Sequence, residues 1–161
     1  MRKVLALLVG VILLAAVNWT IYSREQHLAH GTVVLLELAP VDPRSLMQGD
    51  YMALRFKVAA EAGPALVESG DGRIVVRVDE RGIGQYVRRF SDEALGEREL
   101  VLRYRVREGR VKFATNAFFF EEGSARAYTE ARFGEFRVAS SGELLLSGLR
   151  DAKLQRLGPR S

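Results

Sequence analysis

Arg98-Glu99-Leu100-Val101-Leu102-Arg103-Tyr104-Arg105-Val106-Arg107 carries the cleanest period in the chain. Leu100, Leu102, Tyr104 and Val106 fall on one side of an extended backbone, and Val101, Arg103, Arg105 and Arg107 on the other. A side-chain repeat of two is a strand signal, and apolar residues opposed to arginines mark a strand with one buried and one solvated face. Glu108-Gly109 then makes a tight turn into Arg110–Ala114, so the two segments form a hairpin. The stretch points to an antiparallel β fold.

The flanks read the same way. Arg73–Val78 is a strand, Asp79-Glu80-Arg81-Gly82 a turn, and Gln85–Arg89 a further strand. Thr32–Leu38 is β-branched and leucine-rich, suited to a buried strand. Gly134–Ala139, the Ser140-Ser141-Gly142 turn and Glu143–Leu149 predict a closing hairpin. Between these, Ala59–Gly72 is weakly patterned and predicts a long loop, and Ser124 is placed to cap a helix from Ala125 of about ten residues. Gly158 and Pro159 predict that the tail Gln155–Ser161 frays. About eight short strands with regular turn signals predict a mostly β fold, a compact antiparallel sandwich or barrel with one short helix.

The first residues differ in kind. Arg2 and Lys3 precede an apolar run from Val4 to Val17, extended by Asn18-Trp19-Thr20-Ile21-Tyr22. About twenty such residues in a helix cross the hydrocarbon of a bilayer. Trp19 and Tyr22 stand at its far end, where amphipathic rings favour the membrane–water interface, and the leading positive charges place the N-terminus in the cytoplasm. A cleaved signal peptide shares the pattern of a charged start and an apolar run. Leu14, Val17 and Asn18 spoil a cleavage site around Ala15 and Ala16, and Ala29-His30-Gly31 lies late, so an uncleaved anchor is expected. The expected organisation is an anchor over 1–22, a juxtamembrane segment over 23–31, a β-rich extracytoplasmic domain over 32–155 and a tail over 156–161.

The 161 residues carry 24 lysines and arginines against 20 aspartates and glutamates. Two of the cations precede the anchor, which leaves 22 against 20 over residues 23–161. Such a balance gives no argument for nucleic-acid binding. With zero cysteines there is no disulfide and no thiolate metal site. His27 and His30 share the spacing of a helical metal pair but have only Glu25 nearby, and are expected to be solvated histidines beside the membrane. No metal and no cofactor is expected.

Upstream of the hairpin, residues 39–56 crowd Pro40, Pro43 and Gly49-Asp50 ahead of the alternating run Tyr51–Phe56. The prolines exclude a helix or a central strand there, Gly49 is suited to a positive φ, and Asp50 to bracing the turn. A strand over about 50–58 follows, with Met52, Leu54 and Phe56 on one face and Tyr51, Ala53 and Arg55 on the other. Phe118-Phe119-Phe120 is either consecutive sheet faces or a partly exposed aromatic patch.

Gly49, Asp50, Tyr51, Leu54 and Arg55, closed by Phe56 in place of tyrosine, resemble the signature of the GDYXXLXY family of bacterial proteins. The resemblance extends through Phe118–Gly123, Tyr128, Ala131–Glu135, Gly142 and Leu145–Leu149, covering roughly residues 31–155. It implies a membrane-anchored protein of the bacterial inner membrane acting as an accessory partner of multi-pass membrane proteins. It carries over no biochemical activity. The signature residues Gly49, Asp50, Tyr51, Leu54, Arg55 and Phe56 are the candidate binding site or structural motif.

A catalytic alternative rests on Ser45-Leu46-Met47-Gln48-Gly49-Asp50, which is faintly similar to the nucleophile box of type I signal peptidases. Ser45 would be the nucleophile and Lys112, on the Arg110–Ala114 strand, its base. The Ser-Met-x-Pro core is missing, and zincin, phosphate-loop and hydrolase-elbow motifs are absent. The expected function is therefore a non-catalytic binding or assembly module held at the membrane.

Overall fold

The computed structural model describes residues 2–39, 47–48, 51–115 and 117–158. Among these residues, helix α1 (Arg2–His30) leads into ten strands: β1 (Thr32–Glu37), β2 (Met47–Gln48), β3 (Tyr51–Ala53), β4 (Gly72–Val78), β5 (Gly84–Arg89), β6 (Glu99–Arg107), β7 (Arg110–Lys112), β8 (Ala117–Phe119), β9 (Phe133–Val138) and β10 (Leu144–Arg150). Two short helices, α2 (Lys57–Glu61) and α3 (Pro64–Glu68), lie between β3 and β4. The protein is mostly β behind an N-terminal apolar helix, as its sequence predicts.

All strand pairings within the three sheets are antiparallel. Their orders are β1-β9-β10, β2-β3-β8 and β5-β4-β6-β7. Single bridges join them, Leu35 to Ile83 and Leu38 to Phe56. One core fills the space between them, with Val34, Leu36, Leu54, Phe56, Ile74, Val76, Leu102, Tyr104, Phe113 and Phe136 buried in it.

The alternating stretch behaves as read. In β6, Leu102 and Tyr104 are buried while Arg103 and Arg105 are exposed. Glu108 and Gly109 both take positive φ (56° and 68°), the pairing a two-residue hairpin of right-handed twist requires, and Arg107 pairs with Arg110 across it. Leu102→Ala is accordingly expected to cost about 2–5 kcal/mol by opening the core. Arg105→Ala should change stability by less than about 0.5 kcal/mol. Urea titration of both variants checks the face assignment; equal midpoints would reverse it.

Four local expectations are corrected. The signature strand ends at Ala53, and Lys57–Glu61 is helical. The alternation still governs burial: Met52, Leu54 and Phe56 are inside and Arg55 is exposed. The expected loop over Ala59–Gly72 contains α2 and α3. Alanine and glutamate favour helix, Pro64 fits the first helical position, and burial of Val58 and Leu66 supplies the tertiary support such short helices need.

Ser124 starts only a 3₁₀ turn, Ser124–Tyr128, with no side-chain cap and with Gly123 at φ 80° before it. Tyr128 ends this turn against Phe118 and Phe120, a close anchoring that suits the tighter helix in a short piece. Finally, the tail is docked as far as Gly158. Leu157 N–H donates to the Leu149 carbonyl (2.8 Å), and Arg150 and Arg156 form a β-bridge. Pairing with the edge of β10 outweighs the local disorder that Gly158 invites.

Candidate functional site

Two regions of this frame bear on function: the signature strand, and the junction where α1 meets the sheets.

The signature strand β3 lies at the centre of its small sheet, between β2 and β8. Gly49, Asp50 and Ser45 lie outside the described residues. Of the signature residues that are described, Leu54 and Phe56 are core side chains. Phe56 meets Phe113 (ring centroids 6.2 Å apart) and Phe136 (5.3 Å) edge-on, geometries that place a positive ring edge on a negative face. A Cβ on Gly134 would stand 2.9 Å from the Phe56 ring, so glycine is required where β9 passes the signature aromatic. Phe56 is a buried member of the hydrophobic core, where a tyrosine hydroxyl would need a partner.

Tyr51 points to the other face. It pairs with Phe119 across the strands, with ring centroids 5.7 Å apart, and Phe119 is exposed. Phe118 and Phe120 turn inward onto Tyr128, so the triple phenylalanine serves both faces. Beside β3, Arg55 borders an open groove of about 590 Å³ whose floor includes Phe56, Ala59, Val67 and Val111. The structure thus brings Tyr51 and Phe119 together on a surface and assigns Leu54 and Phe56 to packing. Lys112 is on β7, 3.8 Å from Glu108 in the hairpin turn, and Ser45, its partner in the serine–lysine alternative, lies outside the described residues.

Helix α1 runs unbroken to His30 and is then fastened to the domain. The Arg24 guanidinium donates to Glu143 at the end of the β9–β10 turn (2.8 Å) and holds its carboxyl below the usual range. The His27 Nε2 N–H donates to the Arg137 carbonyl of β9 (2.9 Å), and Arg137 returns a bond to the Gly31 carbonyl. His27 is therefore half-buried and structural, a correction to the expectation of a solvated side chain, while His30 is exposed as expected. A hollow of about 840 Å³ runs between the helix end and the turn, bounded by Trp19, Ser23, His27, Val138 and Ser141. Among the described residues no cluster of histidine, aspartate and glutamate could hold a metal ion.

Two buried carboxylates escaped sequence reasoning. Glu99 accepts from Arg88 (2.8 Å), Arg77 (3.3 Å) and the Gly96 N–H (3.0 Å). The Gly96 N–H first, and then Arg88, hold its carboxyl below the usual range. Glu135, in the middle of β9, accepts from Ser147 (2.8 Å) and Arg150. Burial pushes its carboxyl up, but these two donors outweigh it and the group titrates below an ordinary glutamate. Neither residue carries a local signal, since each depends on which strand the register sets beside it.

These observations define a class: a small antiparallel β domain carried on a helix that is long and apolar enough to cross a membrane. The chain belongs to the family described as GDYXXLXY protein, whose match covers residues 13–149. No curated protein matches it. No solved structure matches it.

Proposed function

We propose that this chain is a single-pass protein of a bacterial inner membrane, N-terminus inside, whose extracytoplasmic β domain is a non-catalytic assembly module for a multi-pass membrane protein. The supporting observation is the rigid mount. Residues 4–22 account for about 28 Å of helix, and Ser23–His30 carry the same helix about 12 Å further before β1 begins. Arg24–Glu143 and His27–Arg137 then fix the domain's orientation on that helix. A tethered domain that acts alone gains nothing from a fixed orientation. A subunit that must meet a neighbour in the same bilayer does, because less rotational freedom is lost on docking.

The test is to insert Gly-Ser-Gly-Ser after His30. Purified in a mild detergent, the parent chain is expected to bring a multi-pass membrane protein with it. The insertion variant should lose that association at least tenfold while its domain keeps the parent Tm. Recovery of the parent as a lone monomer in several gentle detergents would overturn the reading.

A further inference from the structure

The solvated face of the β4-β6-β7 sheet sets like charges directly opposite one another three times. Arg73 faces Arg103, Arg105 faces Lys112, and Arg107 faces Arg110. Opposed like charges on one sheet face are destabilising, and the nearby carboxylates satisfy only part of the set. Asp71 takes Arg107 (2.9 Å), Asp92 takes Arg73 (3.4 Å) and Glu108 takes Lys112 (3.8 Å). Arg103 and Arg105 have no carboxylate within ion-pair distance among the described residues, although both are exposed on a strand with room for one.

The position of this face is as informative as its charge. Arg103, Arg105 and Lys112 line one groove together with Arg24 and Glu143, and Leu144–Leu146 form its apolar wall. Arg24 is two residues past Tyr22, about 3 Å along the helix from the aromatic boundary of the apolar run. The headgroup layer on each side of a bilayer is roughly 5–7 Å deep. With residues 4–22 in the membrane, Arg24 stands among headgroups, and the groove opens from there.

We infer that this groove binds the phosphodiester headgroups of acidic phospholipids, with Arg103 and Arg105 as its principal cations. A guanidinium presents a planar fork of donors that matches phosphate oxygens, and the leucine wall suits the glycerol and upper acyl carbons of the same lipid. Phosphate placed between Arg105 and Lys112 offsets the repulsion that the sheet register builds in. The domain is then seated on an acidic membrane surface, its basic face toward the leaflet. This inference depends on the membrane reading of α1 and is independent of the assembly partner.

The experiment uses the full chain. Its sedimentation with membranes, measured first, checks the membrane premise separately; recovery in the soluble fraction would remove the inference at its root. The chain in phosphatidylcholine micelles is then titrated with phosphatidylglycerol, with further phosphatidylcholine, or with inorganic phosphate, and Tm is read for the β domain. Phosphatidylglycerol is expected to raise Tm by roughly 3–6 °C at saturation, with little change from the other two. Arg103→Ser/Arg105→Ser should abolish that rise and keep or exceed the parent Tm in phosphatidylcholine alone. Arg126→Ser/Arg132→Ser, which removes two exposed cations elsewhere, should retain it. An equal rise with phosphatidylcholine, or an undiminished rise in the Arg103/Arg105 variant, overturns the site. A full rise with inorganic phosphate overturns the lipid assignment.

Discussion

Phe56→Ala is expected to lower stability by about 3–5 kcal/mol, the largest loss from a single truncation in the signature. Phe56 is buried where β1, β3 and β9 meet. Its ring packs edge-on against Phe113 and Phe136 and covers Gly134, which has no side chain of its own to fill the space left behind. Collapse into the cavity is limited, because Phe136 and Phe113 belong to paired strands or lie next to them. Removal of the neighbouring exposed side chain, in Arg55→Ala, should shift stability by less than about 0.5 kcal/mol. Urea titration in detergent followed by circular dichroism gives both midpoints. Similar midpoints for the two variants would mean that the signature's closing aromatic does not serve the core.

Arg150→Met is expected to cost about 3 kcal/mol, at the lower end of what breaking a buried ion pair costs because Arg150 is itself partly exposed. The loss arises at Glu135, whose carboxylate would stay buried in β9 with Ser147 as its remaining side-chain donor. Removing both charges in Glu135→Gln/Arg150→Met should recover a good part of that loss, since the desolvated anion is gone.

The pH dependence follows from the direction of the Glu135 shift. Its folded carboxyl titrates below the unfolded one, so its stabilisation is fully present above about pH 4.3 and is lost as pH falls through the folded value. Glu135→Gln should therefore lie below the parent at pH 7 and approach it on acidification. A gap that widens toward low pH would contradict the assignment of Glu135 as an ionised partner of Arg150.

Much of this molecule was legible in the residues alone. Alternation in Arg98–Arg107 was enough to place Leu102 and Tyr104 inside and Arg103 and Arg105 outside. It needed only the geometry of an extended chain, in which neighbours take opposite faces. The same local rule gave the inward set Met52, Leu54 and Phe56, while β4, β5 and the closing hairpin β9–β10 were read from strand-forming residues bounded by turn signals. The membrane-length helix was equally plain, because length and apolarity along one segment are sufficient to state it. Helix against loop over Ala59–Gly72 was harder. There the local propensities are weak, and it is the burial of Val58 and Leu66 by distant strands that selects α2 and α3.

What concerned pairs of residues far apart in sequence was decided only by the tertiary structure. Nothing near Glu99 announces Arg77 and Arg88, and nothing near Glu135 announces Arg150. Their burial depends on the register that sets β6 beside β4 and β9 beside β10. Nor does the run Gln26-His27-Leu28 reveal that His27 reaches Arg137, more than a hundred residues away. The three like-charge pairs on the basic face are of the same kind. Each of these cations alone reads as a solvated side chain, and only strand register sets five arginines and Lys112 against one another as three opposed pairs. Local patterning is a property of one segment's backbone geometry; electrostatic partners are a property of which segments meet, and that is set by the burial of the common core.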